Sequence, residues 1–327
     1  MKFFISILVC LTFFYSCTPK EQAEKNPLDN LPVNITQLTS FGERAAWSPD
    51  GKKIAFIKQS FNDAFEIDLE TKKIRNLTES CPYHAFLRIQ YLPDGNFLLI
   101  GPEVFKDAEI SRGKEAEFWW MPGDASSAPV KLGERVNEGV AISRTSNFIA
   151  WAVNGEGMYT AVVTYKDSKP VISEKKKILE KPDEGFNEPQ DFRNNDSELI
   201  HSHYYGDGLS DVMGINLKSG ATVNYTATYP SYDEPEGIFP GGEYTCVESD
   251  RSGKGKGSQY IDIWKLKLDG SEQVEQLTHF TDYPVFKASN PMVSPNGKTM
   301  AFQVAKLGDP AGFGRGILLY HFEGESK

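Results

Sequence analysis

Cysteine is scarce in this chain: four among 327 residues, two of them within the first seventeen. That excludes a small disulfide-stapled scaffold. The other two, Cys81 and Cys246, fall far apart in the repeat read below and are expected to be unpaired, buried and apolar in behaviour. Basic residues form no strong cluster. With a formal charge of −10 and a pI near 5.2, that excludes a nucleic-acid partner. Long stretches with helical spacing are missing, and plentiful Phe and Tyr with frequent Gly and Pro point to an all-β protein. The first apolar run, Phe3 to Tyr15, is too short to span a bilayer comfortably.

That run belongs to a separate device. Met1-Lys2 supplies a positive start, and Phe14-Tyr-Ser-Cys17 turns at once into polar Thr18-Pro-Lys-Glu21. The pattern resembles a bacterial lipobox, with residues bulkier than usual at 14 and 15. It implies a signal peptide over 1–16 and diacylation of Cys17, so the chain is expected to be exported and anchored in a lipid bilayer. The expected site is a cell envelope, on the periplasm-facing side of the outer membrane. Residues 17–32 are polar and proline-broken, which suits a tether. The folded domain is expected over 33–323, with a short tail at 324–327.

The domain carries a repeat. Residues 46–56 read Ala-Trp-Ser-Pro-Asp-Gly-Lys-Lys-Ile-Ala-Phe: a strand end, a tight turn, and a second strand. The same grammar returns at 293–302 as Val-Ser-Pro-Asn-Gly-Lys-Thr-Met-Ala-Phe. Aligned on Trp47, the equivalent positions are Tyr91, Ile142, Phe192, Ile238 and Val293, at steps of 44, 51, 50, 46 and 55 residues. A third strand follows each pair, and fourth strands end in Leu-Thr or a degraded form of it. Such periods indicate a six-bladed β-propeller. Five blades show a fourth strand; the sixth runs out of chain soon after Tyr320. Ile35-Thr-Gln-Leu-Thr39 precedes the first blade and is expected to complete the last, closing the ring.

Residues 47–56 with Ile74-Arg-Asn-Leu-Thr78, and again 290–302, resemble the propeller repeat of the TolB family. The resemblance covers 33–323 and implies a binding scaffold for an envelope protein or polysaccharide, monomeric and without a cofactor. No counterpart of TolB's separate N-terminal domain is expected, since a short tether precedes the ring.

Register places candidate functional residues. Four positions before the Trp47 equivalent stand Glu43, Leu87, Glu138, Glu188, Glu234 and Ser289; Arg44, Arg88 and Asn290 follow one position later in their blades. Four glutamates would ring the channel mouth and suit a divalent cation or a basic peptide terminus. Solvated strand-entry residues are the plainer account. His201-Ser-His203 puts two imidazoles on one strand face, a workable metal spacing. Oligogalacturonate lyases are similar propellers with a histidine-rich metal site, which implies a rival: a metal-dependent glycan-cleaving enzyme. A packed histidine pair competes with it. A third reading is a module recognising peptide termini. Long loops of blades five and six carry Asp250, Arg251 and Arg315 and are expected to form a partner-contacting patch. No Gly-x-Ser-x-Gly is present, which excludes the hydrolases whose propeller gates a catalytic domain.

Overall fold

Ser48 and Asp50 show why the Ser-Pro-Asp-Gly stretch reverses the chain. Ser48 Oγ donates to Asp50 Oδ1 at 2.7 Å and accepts the Lys53 amide at 2.9 Å, while Gly51 takes φ = 70°. Asp50 Oδ1 also accepts the Lys52 amide at 3.1 Å. Ser294, Asn296 and Gly297 repeat every part of this, with Ser294 Oγ to Asn296 Oδ1 at 2.7 Å and φ = 74° at the glycine. Short polar side chains thus occupy the backbone groups that a tight turn leaves open.

The computed structural model describes residues 26–322 apart from 207, 228–229, 254–255 and 311. Cys17, the signal segment, most of the tether and the tail lie outside the described residues. Within them the chain folds as an all-β six-bladed propeller of four-stranded antiparallel sheets. Blade one, for example, runs Glu43–Trp47, Lys53–Ile57, Ala64–Asp68 and Ile74–Asn76. Blade six combines Phe286–Val293, Thr299–Lys306 and Ile317–His321 with the N-terminal strand Ile35–Gln37. Ile35 pairs with Tyr320 and Gln37 with Leu318, which closes the ring.

Second strands are covered on both faces by neighbouring blades. They therefore read as unbroken apolar runs such as Phe97-Leu-Leu-Ile-Gly101, every residue of which is buried. Trp119 fills the space between blades one and two, and Trp151 meets Phe118 edge-on at 5.6 Å between blades two and three. Cys81 and Cys246 are free and buried.

The recurring Leu-Thr also has a physical cause. Thr78 Oγ1 accepts the Ala64 amide at the head of the third strand (3.1 Å) and donates to Asp63 Oδ1 (2.9 Å). Thr226 and Thr278 do the same for Val212 and Ile263. In each case the hydroxyl satisfies a backbone donor where the fourth strand stops.

Blades two and three depart from the common pattern. Blade three has outer strands of ten and twelve residues, Gly157–Lys166 and Lys169–Glu180. Blade two carries a short helix, Ala108–Gly113, capped by Asp107 accepting the Ile110 amide at 2.8 Å.

Candidate ligand site at the channel mouth

First strands enter the ring at a cavity of about 400 Å³. Their sequence decides what faces it. In blades one, four, five and six the pairing with the second strand slips between Glu43 and Ala46, Pro189 and Asp191, Pro235 and Gly237, and Ser289 and Met292. A bulge re-aims a side chain. Arg44 and Asn290, at equivalent positions, take φ = 56° and 50°, and with Glu236 they line the cavity. A separate void of only about 10 Å³ lies among Arg44, Arg88, Glu236, Asn290 and their neighbours. The opposite mouth is a more apolar pocket of about 320 Å³ around Trp47, Tyr91, Ile142 and Met292.

The expected glutamates divide into two groups. Glu138 sits in a clamp: Arg44 pairs with one oxygen and Arg112 Nε, from the short helix, lies 2.9 Å from the other. Burial opposes its charge, but Arg44, Arg112 and Arg88 together hold its pKa down to about 2. Glu43 is buried and accepts from Ser60 Oγ at 2.8 Å; burial raises its pKa against the pull of Arg44.

Glu188 and Glu234 face a different environment, beside Glu236 and Glu248. Asn290 Nδ2 donates to Glu236 at 3.1 Å, and the Asn290 amide donates to Glu248. Gln190 Nε2 donates to Glu234 at 3.3 Å, Tyr232 OH donates to the same carboxylate, and Tyr204 OH reaches Glu188 at 3.4 Å. Burial, compounded by the neighbouring carboxylates, pushes Glu188 up to about 8. Glu236 and Glu248 also rise to about 8, again through burial and the charge of Glu234, against the pull of Arg88 on Glu236 and of Lys287 and Arg88 on Glu248. A side chain at Gly139 would collide with the Glu188 carboxylate, so this glycine makes room for it.

Arg88 is the main cation among these four. It is only 7 % exposed, yet its Nε has no hydrogen-bond partner. Its Nη2 stands 3.8 Å from Glu236 Oε1 and 4.0 Å from Glu188 Oε1, beyond hydrogen-bond length. Glu188 Oε1 likewise lacks a donor. The rim is aromatic: Phe186 stacks on Tyr204 with centroids 4.4 Å apart, and Tyr232 lies 6.0 Å beyond.

Glu43, Arg44, Arg88, Glu138, Glu188, Glu234 and Asn290 therefore line one cavity. Leu87 is buried in the core. Glu236, Glu248 and Arg112 were not foreseen. Glu236 hides behind a bulge that fixed register cannot see; the acidic pair in Asp233-Glu-Pro-Glu-Gly237, odd for a strand, was the available signal.

The other candidates lie elsewhere. His201 and His203 are on Glu198–Tyr204, and His201 is 2 % exposed with its Nε2 unpartnered. Burial lowers its pKa to about 4. His203 Nδ1 lies 2.8 Å from Asn187 Oδ1. Among the described residues no three His, Cys, Asp or Glu side chains come together in a metal-holding group. In the long loops, Asp250 is fully buried and accepts the amides of Gly257 (2.6 Å) and Tyr232 (2.9 Å). Arg251 pairs with buried Asp233 at 2.6 Å, and Arg315 with Asp309 at 2.6 Å. These charges pin the loops from within, so the buried Asp250 is not a surface contact.

The fold is shared with well-separated proteins. At 11 % identity and a TM-score of 0.53, TolB from Acinetobacter baumannii matches over 88 % of this chain and 65 % of its own, so this chain spans just under two thirds of it. An oligogalacturonate lyase in complex with manganese matches with a TM-score of 0.55 and 11 % identity, over 88 % of this chain and 79 % of the lyase. A gluconolactonase from Xanthomonas campestris matches at 0.55 and 12 %, over 87 % and 88 %. The likeness is one of fold. No family model and no curated protein matches the chain.

Proposed function

We propose that this is an envelope lipoprotein, anchored through acylated Cys17, whose propeller is a binding scaffold with a receptor site for a positively charged group at the channel mouth. The observation that carries the reading is the buried set Glu188, Glu234, Glu236 and Glu248, which faces a cavity of about 400 Å³ with Arg88 as its main cation. Buried carboxylates without matching cations are costly, and a cationic guest repays that cost on arrival. The partner is an envelope protein or polymer bearing such a group.

Isothermal titration of the full-length chain in detergent with a short oligolysine tests this. Binding that weakens with salt, and falls at least tenfold in the Glu188→Gln/Glu248→Gln double variant, supports the reading. Equal binding by wild type and variant overturns it.

A further inference from the structure

Resting on that reading, we infer that the guest is the free amino terminus of a peptide, its ammonium held by Glu188 and its neighbours and its first carbonyl oxygen by Arg88. The acidic cluster alone points only to a cation. Arg88 adds the rest. It is a guanidinium 7 % exposed, with Nε unpartnered and Nη2 3.8 Å from the Glu236 carboxylate. Guanidinium nitrogens are donors only, so the missing partner is an acceptor. Glu188 Oε1 is an unmet acceptor on the other side of the 4.0 Å gap to Arg88 Nη2. A guest that offers donors and an acceptor a few ångströms apart satisfies both.

An α-ammonium followed by a peptide carbonyl has that layout, and it adds positive charge where the carboxylates outnumber the cations beside them. A neutral polyol supplies donors and acceptors but no charge. A bare metal ion supplies charge but nothing for Arg88, and the described carboxylates do not assemble a metal-holding group. Phe186, 45 % exposed at the rim and stacked on Tyr204, gives the first side chain an apolar surface. The space among Arg44, Arg88, Glu236 and Asn290 is only about 10 Å³, far less than a peptide segment needs, which suits an end better than a middle.

The test uses the full-length chain in detergent and three probes: the dipeptide amide Leu-Gly-NH2, its N-acetylated form, and butylammonium. The free dipeptide is expected to bind at least tenfold more tightly than either of the others. Arg88→Met should remove its advantage over butylammonium. Because Arg88 is buried, the rim variant Phe186→Ser serves as a second probe; it should weaken the dipeptide several-fold and leave the circular dichroism spectrum unchanged. If butylammonium and oligolysine bind as well as the dipeptide, the amino-terminus inference fails while the cation site stands. Tighter binding of a neutral oligosaccharide than of the dipeptide also overturns the inference. If no cationic probe binds, both fall.

Discussion

Thr39 Oγ1 accepts the Ile317 amide at 2.9 Å, across almost the whole length of the chain. Thr78, Thr226 and Thr278 make the same contact within their own blades. The N-terminal strand therefore supplies to blade six the cap that every other intact Leu-Thr supplies locally, and the ring is shut by the repeat's own chemistry.

Thr39→Ala should then lower unfolding stability by about 1 kcal/mol, the net worth of one buried hydrogen bond, with an unfulfilled amide adding to it. Thr78→Ala should cost a similar amount. Deleting 33–39 should cost far more, because it exposes the strand Ile317–His321 as an open edge. Urea unfolding of the three variants checks the order; a deletion no worse than Thr39→Ala would refute ring closure by this strand as a source of stability.

The Glu138 clamp separates two kinds of ion pair. Glu138→Gln leaves Arg44, itself almost wholly buried, with only the longer 3.9 Å contact to Glu43 and should cost about 3 kcal/mol. Arg112→Ala removes a partner that is 38 % exposed and should cost under about 1 kcal/mol. Paired unfolding curves test the contrast, and equal losses would mean that both arginines act as surface groups.

How far the sequence reaches is clear from these residues. Blade number, strand order and ring closure were legible because turn chemistry is local: Ser48, Asp50 and Gly51 state it within four positions. The channel mouth was legible only in part. Glu43, Glu138, Glu188 and Glu234 fall where counting puts them, but the bulge at Glu236 and the helix that delivers Arg112 break the count. Asp250 and Arg251 looked like surface charges because burial of a loop aspartate depends on amides from Gly257 and Tyr232, which spacing does not reveal.

His201 and His203 offer a direct check on the metal-dependent rival. His201 is held in the blade, and His203 is engaged with Asn187 Oδ1. Manganese should shift the melting temperature of wild type and His203→Ala equally. A shift present in wild type and lost in the variant would favour the metal enzyme.

The pH dependence of stability follows from the mouth. Glu188, Glu236 and Glu248 have pKa values raised from 4.5 to about 8 in the folded chain. Between those values the folded state holds protons that the unfolded state has released, so stability falls as pH rises. His201 works the other way, with its pKa lowered from 6.5 to about 4, but its contribution is complete by pH 6.5. The glutamates therefore dominate from pH 6.5 to 8, and the melting temperature should drop across that window. The triple glutamine variant should flatten the slope, because its amides do not titrate. A cationic guest should flatten it too, since charge neutralisation lets the carboxylates ionise without penalty. A wild-type profile flat from pH 6.5 to 8 would show that the carboxylates are already ionised in the empty site, removing the energetic reason for it to take a cation.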